Sequence, residues 1–298
     1  MSTVPTSGPL FIVAGKAGQL GNRLFLFSYV ITLAAKLGGR VANCGFIDYA
    51  ESFAAPKLDV FSRWPAQRSL LRGRRLGQVL YRLQTLVVQG ARKLRLLPMP
   101  GVQVVGLHEA KTAEQRLDCV PFLDSLRRAR VVIIGGWLEL SHVRFEQPEL
   151  LRAFFRPNEQ HRAAVATLIA SVRTQCEVLI GVHVRRGDYA GFLGGRYFFP
   201  LEVYEKNMRA AAALFPGRVI GFLICSNEPV TALETALPRV FRGTGVAVED
   251  LYALAECDYL IGPPSTFSRW ASFYGETPIW EMRDAASEPK LAEFTIRS

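Results

Sequence analysis

His183, Arg185, Arg186 and Asp188 crowd into six residues, directly after the apolar run Val178-Leu179-Ile180-Gly181-Val182. A short β-branched run of that kind is a buried strand, and its end delivers fixed charge to the edge of a sheet. Open α/β sheets bind ligands outside the carboxyl ends of their strands. Guanidinium groups present rigid forks of donors that match phosphate oxygens, so the Arg185-Arg186 pair points to a phosphorylated ligand. The competing reading is a surface turn in which Arg and Asp form a structural ion pair. A second group lies further on, where Asp250 precedes Pro263-Pro264-Ser265-Thr266. Ser265 and Thr266 follow a strand and open a helix, where hydroxyls and free N–H groups suit an anion; a plain N-cap at Ser265 fits the same residues.

The other candidates lie near the start. Leu10-Phe11-Ile12-Val13 predicts a strand running into a glycine loop, Gly15 to Gly21-Asn22, and then a helix from Arg23 to Leu37 closed by Gly38-Gly39. Strand, glycine loop and helix bring backbone N–H groups close to a phosphate or sugar, and also serve simply as a connection. Further on, Val131–Ile134 is a strand, and from Glu159 to Pro278 helices and strands alternate. Predicted strands there include Val219–Ile224, Val246–Val248 and Tyr259–Ile261, with Asp250–Glu256 a short helix. This alternation implies parallel sheets covered by helices, in two units split near residue 150 and facing a cleft.

Composition bounds the answer. The chain has 298 residues, 49% of them hydrophobic, which fits one or two soluble domains. No apolar run is long enough to span a bilayer. Met1–Pro9 does not read as a signal peptide, and five widely spaced cysteines without a CxxC read as reduced, so the expected location is cytoplasmic. Four histidines without metal-ligand spacing, and no Asp-x-Asp motif after a strand, make no case for a bound metal. The net charge of +10 sits in the first half. Between Asp59 and Glu109 no acid occurs, while Arg63, Arg68, Arg72, Arg74, Arg75, Arg82, Arg92, Lys93 and Arg95 all do. Leu76, Val79, Leu80, Leu83, Leu86 and Val87 recur at helical spacing, which predicts an amphipathic helix with a basic opposite face. Residues 63–95 are therefore expected either to lie on an anionic membrane or to pack on the core with a solvated charged face. Nothing beyond charge favours nucleic acid.

In order and spacing, the three pieces resemble the GDP-fucose-dependent α1,2/α1,6-fucosyltransferase superfamily, and most closely its bacterial α1,2 branch. Members of that branch carry a Gly-Asn-Gln-Leu-Phe start, here Gly21-Asn22-Arg23-Leu24-Phe25, and a His-Val-Arg-Arg-Gly-Asp-Tyr motif, intact here from His183 to Tyr189. The resemblance runs from about Gly18 to Pro278. It implies a GT-B-like α/β fold of two Rossmann-like domains, 1–150 on the acceptor side and 151–298 binding the donor. It implies an inverting transfer from GDP-fucose without a metal, to an oligosaccharide or lipid-linked glycan, with α1,2 linkage to galactose the expected product. By matching position, His183 and Asp250 would contact guanine, Arg185 the β-phosphate, Ser265 and Thr266 phosphate, and Gly21 and Asn22 the donor pocket, while Arg186 and Asp188 would shape the motif. Asp188 is the first candidate for the base that deprotonates the acceptor, with Asp48 and Glu51 as other carboxylates. An aspartate beside two arginines, however, is a weakened base. Arg23 stands where the family has Gln, and Pro263-Pro264-Ser265-Thr266-Phe267-Ser268-Arg269-Trp270 where α1,2 enzymes have Asn-Ser-Ser-Phe-Ser-Trp-Trp. The carboxylate that some α1,6 relatives carry shortly after the arginine motif has no counterpart, and Leu193 lies near that place. Two other readings remain open: a transferase on the same scaffold with another nucleotide sugar or linkage, and a non-catalytic binder of membranes or polyanions.

Overall fold

The near-continuous apolar runs form the inner strands of two parallel sheets, as strands buried on both faces must. The computed structural model describes residues 8–97, 99–105, 120–135 and 145–297. It divides into two units, Met1–Asn158 and Glu159–Ser298. The first contains β1 (Leu10–Val13), α1 (Leu20–Lys36), β2 (Arg40–Ala42), α2 (Ile47–Ala50), α3 (Arg74–Lys93), β3 (Val102–Val105), α4 (Val120–Arg128), β4 (Val131–Ile134) and α5 (Pro148–Phe154). Its strands are ordered β2-β1-β4-β3, all parallel.

Helix α1 is apolar on nearly every side and is correspondingly buried, from Leu24 through Ala34. Phe27 at its centre meets Phe46, Phe154 and Phe155 edge-on, with ring centroids 5.3, 5.3 and 5.4 Å away. These contacts hold α5 and the residues after it in the first unit, which runs to Asn158. The helix also starts earlier than its sequence suggests. Gly21 and Asn22 belong to its first turn, and Gly18, at φ +54°, makes the bend. A Cβ on Gly18 would lie 2.2 Å from the Asn22 amide nitrogen, so the loop and helix start close on each other only with glycine there.

The second unit contains α6 (Glu159–Arg173), β5 (Val178–Val184), α7 (Leu201–Ala213), β6 (Ile220–Ser226), α8 (Thr231–Ala236), β7 (Val240–Arg242), α9 (Ala247–Ala255), β8 (Tyr259–Gly262), α10 (Thr266–Gly275) and β9 (Ile279–Glu281). Strand order is β7-β6-β5-β8-β9, all parallel. The chain therefore winds outward from β5 in one direction and then the other, and the topological switch point lies between β5 and β8. All seven residues of β5 are buried, and they alternate between the two helical layers. Ile180, Val182 and Val184 pack with Tyr204 and Met208 of α7. On the other face a Cβ on Gly181 would lie 2.7 Å from Leu254 of α9, so glycine lets that helix approach the sheet and sets the depth at which His183 emerges.

The expected strand at Val246–Val248 is not present. The strand is Val240–Arg242, and Ala247 already begins α9. The cause is a turn at Thr244-Gly245, with Gly245 at φ +79° and its N–H donated to Asp250 Oδ1 at 3.1 Å. The side chain of Asp250 thus stops the strand and opens the helix, overriding the β-branched valines.

Helix α3 differs from its expected form as well. It packs through Gly77, whose Cβ would lie 2.4 Å from Ile47, through Tyr81 beneath the Lys16 ammonium, and through Gln84, which donates to the Val13 carbonyl at 3.0 Å. Leu76, Val79, Leu83, Leu86 and Val87 point away and are exposed. Arg75, Arg82 and Lys93 flank this apolar stripe and do not oppose it.

Candidate functional site

At the switch point, β5 ends at Val184 and the next four residues turn across the sheet edge. The backbone N–H of Arg185 donates to the Tyr204 hydroxyl at 3.4 Å, which fixes the exit of the strand. Arg185 Nη2 donates to Asp188 Oδ2 at 2.6 Å, and the guanidinium lies over the Tyr189 ring, 5.7 Å from its centroid. The arginine side chain is largely buried, whereas the aspartate is half-exposed. Tyr189 is itself buried and donates its hydroxyl to the Pro264 carbonyl at 2.8 Å. That bond ties the arginine motif after β5 to the segment after β8.

Arg186 turns the other way, toward β6. Its Nε lies 3.2 Å from Glu228 Oε1, and its guanidinium covers the Phe198 ring at 5.0 Å. Backbone N–H groups of Arg186 and Gly187 donate to Asn227 Oδ1 and Glu228 Oε2. Asn227 and Glu228 follow the carboxyl end of β6, and sequence reasoning missed them. Two polar residues directly after the strand run Ile220–Ser226 were the available signal. The pair of arginines is thus split: Arg185 faces the α10 side, and Arg186 braces the loop against β6.

His183, two residues before Arg185, sits on the α9/α10 side, stacked on Phe267 with centroids 5.0 Å apart and planes at 28°. Burial, and next the charge of Arg185, push its pKa down to about 3, so the imidazole is neutral. Its buried Nδ1 meets no hydrogen-bond partner among the described residues. An orphan of that kind costs about 1–3 kcal/mol unless a ligand supplies the partner. Cys225, paired with His183 across the β5–β6 ladder, lies 3.6 Å from the Asp250 carbonyl oxygen, which brings α9 to the same edge. Asp250 is buried, and burial outweighs the hydrogen bonds from Gly245 and Thr244, raising its carboxyl to about 6. The neighbouring Glu249 also bonds Thr244 and lies 2.8 Å from His161 Nδ1 of α6, which ties the start of α9 to that helix.

Ser265 is the N-cap of α10; its hydroxyl accepts from the Phe267 N–H at 3.2 Å, and Thr266 is the first helical residue. One turn on, Arg269 reaches Glu281 at the end of β9 through two hydrogen bonds. The Glu281 carboxylate is buried and also receives Arg283 and Arg297, at 3.2 and 3.1 Å. Burial works against its ionisation, but the bonds and charge of Arg269 win and hold its pKa low. Three guanidinium groups on one carboxylate leave positive charge beside the first turn of α10. The site can therefore hold an anion at Arg185 and α10, and a planar polar group at His183 and Asp250.

The glycine loop of the first unit carries its own charged cluster. Asp48 of α2 accepts from Lys16 Nζ at 2.7 Å and from Arg23 Nη1 at 2.6 Å. Arg23 also donates to the carbonyls of Gly18 and Gly45. Desolvation raises the Asp48 pKa, but the two cations outweigh it and bring it down to about 2. A carboxylate held so firmly ionised is a poor proton acceptor, which argues against Asp48 as a base. Glu51 is exposed, and its carbonyl accepts from Asn158. Among the described residues no cluster of three or more His, Cys, Asp or Glu is placed to hold a metal ion.

No family model matches the sequence. Galactoside α-(1,2)-fucosyltransferase 2 of Mus musculus is 26% identical over 151 residues, a match covering 46% of this chain and 42% of that protein. Solved structures cover far more. The α-1,6-fucosyltransferase NodZ soaked with GDP-fucose superimposes with a TM-score of 0.57 at 18% identity, over 92% of this chain and 95% of that one. The chain has the fucosyltransferase fold. A mutant of Arabidopsis thaliana FUT1 in complex with GDP gives a TM-score of 0.61 at 13% identity, over 97% of this chain and 73% of that one. POFUT1 in complex with GDP gives 0.52 at 10% identity, over 95% and 98%. The α/β, GT-B-like architecture is thus that of the fucosyltransferase fold, with two parallel-sheet units in one chain.

Proposed function

We propose that this protein is an inverting fucosyltransferase that uses GDP-fucose and needs no metal ion. The observation that carries the reading is the junction at the switch point, where Tyr189 links the Arg185 motif after β5 to the start of α10 after β8. An arginine fork and a helix N-terminus then converge where a diphosphate would lie. As the sugar leaves, negative charge grows on the departing GDP, and donors fixed in advance stabilise that charge without reorganising. Arg185 takes the β-phosphate, Ser265 and Thr266 offer N–H groups at the first turn of α10, and Arg269 adds positive potential. Guanine fits the other end. Asp250, when ionised, accepts from its ring and amino N–H groups, and a polar atom of the base gives the unpartnered Nδ1 of neutral His183 its partner.

Asp188 holds Arg185 in place at 2.6 Å; in this reading it is the arginine's positioning partner first and a candidate base second. Gly21 and Asn22 open α1 of the first unit after the glycine loop and are the residues that match the family's Gly-Asn motif. For the acceptor, the reading is a galactose-bearing glycan joined through an α1,2 linkage, supported by the likeness to the murine galactoside enzyme. The α1,6 linkage is the second reading, favoured by the similarity to NodZ over nearly the whole chain.

The test is incubation of the purified protein with GDP-fucose and a galactoside, in buffer with excess EDTA, with the product linkage read by NMR. An α1,2-fucosylated product is expected. An α1,6 product would overturn the linkage, a requirement for added Mg²⁺ or Mn²⁺ would overturn the metal-free mechanism, and inert GDP-fucose would overturn the reading.

A further inference from the structure

Helix α3 turns its apolar residues outward. At about 100° per residue, Gly77, Tyr81 and Gln84 form the packed face, against Ile47, Lys16 and Val13. Leu76, Val79, Leu83, Leu86 and Val87 form a separate stripe whose exposure runs from 37% at Leu76 to 70% at Val87. Leu70 and Leu71 before the helix, and Leu94 and Leu96 after it, are exposed too. Arg75, Arg82 and Lys93 stand in one exposed row along the margin of the stripe. We propose that this face is a docking surface for an anionic lipid bilayer, with α3 lying in the plane of the headgroups.

The charges decide among occupants. No acid lies between Asp59 and Glu109, so the segment that carries the stripe supplies cations and no carboxylate of its own. A second copy of this chain would set that basic row against itself. Anionic headgroups neutralise it while the leucines enter the acyl boundary, the arrangement that holds interfacial helices. Twenty residues give a contact about 30 Å long, and the helix is not apolar enough to cross a membrane. Gln84 and Tyr81 hold the opposite side of α3 at the carboxyl end of β1, so docking brings the glycine loop within about a helix diameter of the headgroups. If the transfer proposed above holds, that position suits an acceptor carried on a lipid.

The experiment is vesicle flotation of the full chain without donor or acceptor, so it stands or falls separately from the enzymatic reading. Expected is binding to mixed phosphatidylglycerol/phosphatidylcholine vesicles that weakens as salt rises, and little binding to pure phosphatidylcholine. Leu83→Glu with Leu86→Glu, and separately Arg75→Glu with Arg82→Glu, should each lower partitioning by about tenfold or more, with unchanged circular dichroism. All four residues are exposed, so the fold should tolerate the changes. Absence of binding at low salt, or binding that neither pair alters, would overturn the proposal. Concentration-dependent dimers in sedimentation velocity, abolished by Leu83→Glu with Leu86→Glu, would assign the face to a second copy instead.

Discussion

Lys16 and Arg23 at the carboxyl edge of the first sheet both reach Asp48, and Arg23 also donates to the carbonyls of Gly18 and Gly45. Arg185 at the carboxyl edge of the second sheet is met by a half-exposed carboxylate, that of Asp188, and lies beside the opening turn of α10. Both edges are switch points of parallel sheets, and both bring cations to the end of a buried strand. They differ in what the cations hold. In the first, two cations share one carboxylate that stays ionised down to about pH 2, so their fork and ammonium staple a loop to a short helix. In the second, the arginine is oriented by a partner that water already reaches, and a phosphate can join it at modest desolvation cost. A basic residue after a strand is therefore not by itself a ligand site; the number and burial of its acceptors decide which it becomes.

The largest effect expected from this contrast is at Arg185. On the proposed function, Arg185→Lys keeps the charge and loses the fork, and should lower the transfer rate by about a hundredfold or more. Arg23→Gln should leave the rate within about threefold but lower stability by about 1–2 kcal/mol, read as a drop in Tm. Equal loss of rate in both variants would erase the distinction between the two edges.

Next is Asp250. Losing a charged acceptor for two N–H groups should weaken GDP by about 10- to 100-fold in Asp250→Asn. The carboxylate form does the binding, and its pKa is raised to about 6, so wild-type affinity should climb as pH rises through 6 while the variant's stays flat. Stability should move the other way. Because the fold favours the protonated carboxyl, its contribution is present below about pH 4 and lost as pH rises to about 6. Titration calorimetry and chemical denaturation across pH 4–7 separate the two trends.

Asp48→Asn should be smaller. A carboxyl depressed to about 2 stabilises the fold above its unfolded value near 4, and that contribution disappears as pH falls from about 4 to about 2. The variant should lose this acid-side slope, cost about 1 kcal/mol at neutral pH for a partly exposed cluster, and keep its kcat. Loss of kcat with unchanged stability would return Asp48 to the list of bases. Smallest of all is Glu228→Gln, which removes one charge from the Arg186 brace; a rise of about threefold in donor KM is expected, with kcat unchanged.

The strand bearing His183 and the switch between units of alternating elements were legible because buried parallel strands leave uninterrupted apolar runs. The helix starting at Ala247 was not. Its start is set by a side-chain bond from Asp250 back to Gly245, a local contact that outweighs valine propensity. The Asn227–Glu228 brace and the Arg269–Glu281 cluster were invisible for another reason. Arg186 and Glu228 follow two different strands that only the sheet order sets side by side, and Arg269 meets Glu281 only because α10 folds back against β9. At α3, periodicity revealed an apolar stripe but not which way it faces, since a core stripe and a surface stripe share one spacing.

On the proposed function, the edge between β5 and β8 receives a guanosine diphosphate. Titration calorimetry of GDP and UDP into the wild-type protein and Arg185→Ala tests it most directly. GDP should bind the wild type about a hundredfold or more tightly than UDP does, and Arg185→Ala should lose most of the GDP affinity. Equal affinity for the two nucleotides, or GDP binding untouched by the loss of Arg185, would contradict it.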